Sequence, residues 1–271
     1  MADLENRNVL ITGGAGLLGR EHAVAVGRAG GRPVLVDIDD GRLDDAIADV
    51  NGRAGDARAI GHVVDITDRD GLAALNDALS REIDGIDVVV NNAAINPTMS
   101  GPQAMAASRF ETYPLEMWNA ELAVGLTGAM QVAQIFGQAM ADRGRGVIVN
   151  IASDLGVIAP DHRIYAPSRN MDDVESFKPA SYVVCKTAII GLTRYLATYW
   201  AHRGVRCNAL APGGVFADQS ESLVEGVVDR VPLGRMARPD DYHGAIVFLC
   251  GDASAYMNGQ VMVVDGGRSV W

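Results

Sequence analysis

The sequence predicts a single-domain α/β fold of the Rossmann type, a doubly wound parallel sheet of seven strands with helices on both faces. Three observations predict it. Seven short Val/Ile-rich runs recur along the 271 residues, segments of helical length and spacing separate them, and a glycine-rich turn follows the first run. Strands buried on both faces read as continuous apolar runs rather than alternating ones, and these do. No internal repeat, low-complexity tract or Pro/Gly/Ser linker divides the chain, so residues 1–271 form one domain.

The elements follow in order. Asn8–Thr12 (Asn-Val-Leu-Ile-Thr) is the first strand, a glycine turn occupies 13–19, and 20–30 carries helical spacing. Further strands are expected at 33–37, 59–65, 86–91, Gly146–Ile151, 205–211 and 260–265. Helices are expected at 41–50, 68–83, 115–142, 180–202 and 240–251. Two stretches, 95–114 and 154–179, show no period and follow apolar runs. They read as long active-site loops over the carboxyl ends of the strands, where open α/β sheets bind ligands.

Composition narrows the function classes. The chain is 48% hydrophobic and 21% charged, as soluble globular proteins are, and its net charge of −11 disfavours nucleic acid as a partner. No apolar run reaches the length of a membrane span, and the first residues lack a basic-then-apolar leader. Cys185, Cys207 and Cys250 are odd in number and widely spaced, which reads as reduced, buried thiols in a cytoplasmic protein. The acidic pairs Asp44–Asp45 and Asp172–Asp173 show no metal-ligand spacing, so no metal is expected. His22 reads as a packing or surface residue.

Within Thr12-Gly-Gly-Ala-Gly-Leu-Leu-Gly19, the pattern Gly14-x-Gly16-x-x-Gly19 lies between a strand and a helix. Glycine there permits a tight turn and close approach of a pyrophosphate, whose charge the helix N-terminus accommodates. Gly13, Gly14, Gly16, Leu17, Leu18 and Gly19 are therefore candidate dinucleotide contacts. Asp37, eighteen residues past Gly19, ends the second strand with a carboxylate suited to ribose hydroxyls and repulsive to a 2′-phosphate, which points to NAD; Ile38 follows it. Asp39 and Asp40 add negative charge.

Tyr182 and Lys186, four residues apart on a predicted helix, emerge from one face one turn apart. A lysine so placed favours the phenolate and is expected to lower the tyrosine's pKa, making the hydroxyl a candidate acid/base for alcohol chemistry.

Taken together, these residues resemble the short-chain dehydrogenase/reductase family along nearly the whole chain. The resemblance rests on the turn at 12–19, Asp37, Asp65-Ile66, Asn91-Asn92-Ala93-Ala94, Ser153, Tyr182-x-x-x-Lys186, Pro212-Gly213-Gly214, Asn258-Gly259-Gln260 and Asp265-Gly266-Gly267. It implies that Asp65 and Ile66 contact adenine and that Asn91 supports the sheet edge and the cofactor. Asn92, Ala93 and Ala94 are then cofactor contacts, and Pro212, Gly213 and the Val215 backbone border the nicotinamide carboxamide. In the same way Ser153 hydrogen-bonds the substrate oxygen, Tyr182 is the acid/base and Lys186 holds the ribose. Members are commonly homo-oligomers, and Trp271 is a candidate subunit contact.

Departures accompany the resemblance. The family's helix asparagine falls on Gly125, whose backbone carbonyl is left to hold the relay water, and its usual threonine falls on Ala217. Ser153 and Tyr182 stand 29 positions apart, about twice the family's habit, so 154–179 carries an insertion. That insertion supplies Asp161, His162, Arg163, Tyr165, Ser168, Arg169 and Asn170, and the other loop supplies Gln103, Ser108, Arg109 and Glu111. His162, Arg163 and Arg109 are candidate ligands for a polar, sugar-like small molecule. Together with Gly156-Val-Ile-Ala-Pro160 and Pro212-Gly-Gly-Val-Phe216, these features are similar to the flagellin-modification and nonulosonic-acid sugar dehydrogenases. The expected activity is interconversion of a secondary alcohol and a ketone. A 3-oxoacyl-carrier-protein reductase and a silent NAD-binding scaffold are the alternatives.

Overall fold

A computed structural model describes residues 4–55, 58–95, 105, 107–166, 170–174 and 176–270. The expectations placed on Gln103, Ser168, Arg169 and Trp271 lie outside the described residues. Seven strands form one parallel sheet in the order β3-β2-β1-β4-β5-β6-β7. They are β1 (Asn8–Thr12), β2 (Arg32–Asp37), β3 (Ile60–Val63), β4 (Val88–Asn91), β5 (Gly146–Ile151), β6 (Val205–Pro212) and β7 (Val261–Val264). The order reverses direction between β1 and β4, so a crevice opens between their carboxyl ends.

Side-chain alternation divides each central strand between two cores. Val9, Ile11, Val88, Val90, Val147 and Val149 face α1 (Leu17–Arg28), α2 (Asp40–Arg53) and the C-terminal helix His243–Cys250. Leu10, Val89 and Ile148 face the opposite layer, packing with α3 (Arg69–Glu82), the helical run α4 (115–142) and α5 (Ala180–Tyr199). Nearly every one of these residues is withdrawn from water, which is why the strands lack a polar face.

Two helical features differ from the sequence expectation. The run at 115–142 is continuous but not uniform: Leu115–Leu122, Ala129–Val132 and Gln138–Asp142 are α-helical, joined by π-helical Ala123–Gly128 and Ala133–Gly137. A further helix, α6 (Glu221–Val228), follows β6 and precedes α7 (His243–Cys250); it was not anticipated. The described residues of the 154–179 insertion include three single 3₁₀ turns, Asp154–Gly156, His162–Tyr165 and Met171–Asp173. Ile164 packs it against Val227 of α6 and against Val231 and Met236, which follow that helix.

Candidate active site

Because the sheet is parallel, the segments after β1, β4, β5 and β6 all emerge along one edge. At β1, Gly13 adopts φ +61°, a conformation that favours glycine, and a Cβ there would lie 2.8 Å from the Ala93 Cα. A side chain at Gly19 would run into the Gly13 carbonyl, so the turn and the first helix close on each other only through glycine. Gly16, the residue before α1, supplies no side-chain cap, and a Cβ there would lie 3.2 Å from the Gly13 carbonyl oxygen. The first-turn N–H groups of α1 are thus left to an anion, and the cradle fits a pyrophosphate. Leu17 is exposed at its rim, while Leu18 leans onto the core.

Thr12 and Asn92 stitch the crevice. The Thr12 hydroxyl accepts from the N–H groups of Asn92 and Ala93, both at 3.0 Å, and the Asn92 amide donates to the Thr12 and Gly13 carbonyls at 3.0 and 3.1 Å. Asn92 therefore shapes the turn, and exposed Ala94 lies beyond it. Asn91 donates to Asn150 at 2.9 Å across the sheet and, more weakly, to the Ala129 carbonyl of α4.

The Asp37 carboxylate accepts the Ala15 N–H at 3.0 Å and its neighbour Ile38 N–H at 2.9 Å. It does not cap α2; Asp39 does, accepting from the Arg42 N–H. Ile38 is 68% exposed beside it, an apolar plate at the strand end. Arg20 and Arg42 both donate to the Ala15 carbonyl, which brings two guanidiniums to the same turn. Asp65 is exposed and accepts from Thr67, whereas Ile66 turns into the core against Gly128.

At the end of β5, Ser153 starts the 3₁₀ turn and its hydroxyl donates to Asp154 at 2.9 Å. α5 brings Tyr182 and Lys186 to it. Burial pushes the Tyr182 phenol above its ordinary pKa, and the hydrogen bond with Ser153 draws it back. Lys186 is buried, its Nζ donates to the Ile151 carbonyl at 2.7 Å, and it stands 5.8 Å from the centre of the Tyr182 ring. Burial drives the Lys186 ammonium down to about 8. The lowering expected of Tyr182 is thereby corrected: in the protein alone, loss of hydration is the largest influence and holds the phenol above its ordinary value.

The Gly125 departure has a steric reason. Gly125 lies in the first π-helical segment of α4, and a Cβ there would sit 2.5 Å from the Cys185 sulfur. The thiol, pushed up by burial, fills the space an asparagine would need. At Ala217, Gln219 bridges the gap by accepting the Ala217 N–H at 2.7 Å and donating to the Val215 carbonyl at 2.8 Å. Gly213 is pinned between Val264 and Tyr242, donating to the first and accepting from the second, and Pro212 closes β6 beside it.

Several residues at the site were not anticipated. The Lys178 Nζ lies 3.7 Å from the centre of the Tyr182 ring, and burial pushes it down to about 8. Asp154 pairs with Arg268 at 2.8 Å, both buried. Buried Glu121 of α4 accepts from Tyr113 at 2.6 Å and from Ser181 at 2.7 Å, bolting α4 to the residue that precedes Tyr182. Sequence carries little trace of these, because Arg268 and Asp154 are 114 positions apart and Ser181 and Glu121 are 60 apart.

Of the three candidate substrate residues, His162 and Arg109 meet at Phe177 and Arg163 turns to a separate cavity. His162 lines a cavity of about 430 Å³ with Lys178, Glu111 and Phe177, and packs edge-on against Phe177. Arg163 pairs with Asp161, which also pairs with Arg230, around a second cavity of about 520 Å³ bordered by Arg268. Arg109 stacks over Phe177 at 5.4 Å. Among the described residues no cluster able to hold a metal ion occurs, and no helix is long and apolar enough to cross a membrane.

Comparison with known proteins follows the same outline. The family model described as short chain dehydrogenase matches residues 7–227. D-threitol dehydrogenase of Mycolicibacterium smegmatis is 30% identical over 98% of this chain and 94% of its own. The 3-oxoacyl-[acyl-carrier-protein] reductase FabG of Thermotoga maritima is 31% identical over 97% and 98%. A gluconate 5-dehydrogenase from Burkholderia cenocepacia, solved with NADP and tartrate, superposes with a TM-score of 0.84 at 27% identity, covering 100% of this chain and 98% of that one.

Proposed function

This chain belongs to the short-chain dehydrogenase/reductase family, and on that footing we propose that it is an NAD-dependent oxidoreductase acting on a secondary alcohol of a polar, hydroxyl-rich substrate. The observation that carries the proposal is the meeting of Ser153, Tyr182 and Lys186 at the edge that also bears the glycine cradle.

Each residue has a distinct task. Gly13, Gly14, Gly16 and Gly19 let the backbone reach the pyrophosphate, and Asp37 takes ribose hydroxyls. Ser153 hydrogen-bonds the substrate oxygen, and Tyr182 removes or returns its proton. Lys186, fixed by the Ile151 carbonyl, offers its remaining N–H groups to the nicotinamide ribose. The nicotinamide ring, when bound, accepts or gives the hydride, so the protein has only to place the substrate and manage one proton.

NAD is favoured by the Asp37 carboxylate, which opposes a 2′-phosphate. The cavity beside Lys178 supports a polyol or sugar-acid substrate, since Lys178, His162 and Glu111 supply polar groups next to the base. Nonulosonic-acid sugars fall inside that class. Three buried free thiols fit a cytoplasmic setting. Exposed Val184, Tyr195 and Tyr199 along α5 fit a homo-oligomer. The likeness to FabG supports a second reading, reduction of 3-oxoacyl groups.

The test follows reduced-cofactor absorbance with polyols, aldonates, hydroxy acids and a 3-oxoacyl thioester. Polyol or aldonate turnover, abolished in Tyr182→Phe with NAD binding retained, is expected. Undiminished turnover in that variant refutes the assignment. NAD binding with no turnover across the panel returns the chain to a scaffold.

A further inference from the structure

The Ser153 hydroxyl is held from several sides, by its own turn and by the Tyr182 phenol. Its hydrogen goes to the Asp154 Oδ1 at 2.9 Å, and its oxygen accepts the Leu155 N–H at 3.2 Å. The same Asp154 oxygen also accepts the Leu155 N–H, at 2.8 Å. The other, Oδ2, is held by Arg268 at 2.8 Å in a pair almost wholly withdrawn from water. Arg268 sits in the 3₁₀ turn Arg268–Val270, which follows the β7 strand, and Asp265 steadies that segment by accepting the Gly267 and Ser269 N–H groups. Tyr165 of the insertion stands within electrostatic reach of Arg268, Asp154 and Tyr182.

A serine hydroxyl has one hydrogen and two acceptor positions. Asp154 and Leu155 take two of these three and Tyr182 faces the third, so Asp154 fixes how the serine oxygen is turned toward Tyr182. A carboxylate locked by a buried guanidinium cannot swing with its partner, whereas a lone serine samples three rotamers.

We propose that Asp154, clamped by Arg268, is a positioning residue for catalytic Ser153, so that the segment after β7 sets the seat of the reacting oxygen. The inference rests on the oxidoreductase reading above. Asp154 acts through Ser153 and does not itself meet the substrate.

The test is a double-mutant cycle on the full-length protein with the best alcohol of the panel. Asp154→Ala is expected to lower kcat/KM roughly ten- to a hundred-fold, the worth of a hydrogen bond to a charged group. In a Ser153→Ala background the same substitution should have little further effect, because the residue it positions is gone. Asp154→Asn with Arg268→Gln keeps a hydrogen-bonded pair without burying an unmatched charge. It should stay within a few-fold of the parent and shows that the loss in Asp154→Ala is not a failure to fold. NAD affinity should be unchanged in every variant. An equal loss with and without Ser153, or no loss at all in Asp154→Ala, overturns the inference. If the parent enzyme oxidises no alcohol, the functional reading itself has failed, a result distinct from either.

Discussion

Gly125→Ala probes the packing that replaces the family's helix asparagine. The added Cβ would stand 2.5 Å from the Cys185 sulfur, about 1 Å inside a relaxed contact. Both groups are buried and belong to helices that carry the site, so neither is free to move away. Overpacking of this kind costs about 1–3 kcal/mol. For a chain of this size each kcal/mol shifts Tm by about 2–4 °C, so a fall of roughly 2–12 °C is expected. Cys185→Ala removes the clashing sulfur and should return much of that loss when combined with Gly125→Ala, although alone it leaves a small void. Urea titration and calorimetry of the four proteins give the coupling energy, expected at about 0.5–3 kcal/mol and stabilising in the double variant. Additive effects within about 0.3–0.5 kcal/mol, or no loss in Gly125→Ala, would refute the reasoning and mean that α4 and α5 have slack between them.

Two other measurements bear on different parts of the molecule. Asp37→Ser removes the charge that opposes a 2′-phosphate while Arg20 and Arg42 remain, so the ratio of kcat/KM with NADP to that with NAD should rise roughly tenfold or more; an unchanged ratio contradicts the role given to Asp37. His22 is fully buried, neither ring nitrogen meets a hydrogen-bond partner among the described residues, and burial, aided by His243, pushes it down to about 3. The folded state keeps it neutral, so its contribution to stability is present above the unfolded value near 6.5 and is lost as pH falls. The loss approaches about 1.4 kcal/mol per pH unit, about 2 kcal/mol by pH 5. Denaturant midpoints of His22→Leu should therefore fall less steeply between pH 6.5 and 4 than those of the parent, and parallel curves would contradict it.

The strands were legible because burial on two faces leaves a local mark: Val88-Val-Val-Asn91 and Gly146–Ile151 can be read without knowing their neighbours. The glycine turn and the Tyr182–Lys186 spacing were legible for the same reason, since each is a short-range pattern tied to one piece of chemistry. The π-helical segments of α4 were not, because they change the helical period without changing composition. Lys178 and Arg268 carry no short-range pattern and join the site only because the chain brings them to Tyr182 and Asp154. The pKa of Tyr182 was misjudged for a related reason. Spacing reports a neighbouring charge, but it is silent about how much water has been removed.

Ser181 is the residue before Tyr182, and it takes its bearings from Glu121 and Tyr113 on the other side of a helix pair. Anyone retooling this enzyme for a new alcohol inherits that arrangement. A library confined to positions facing the ligand leaves it intact, whereas grafting α5 into a relative lacking the carboxylate transplants the proposed base without its footing. The three residues are best moved together.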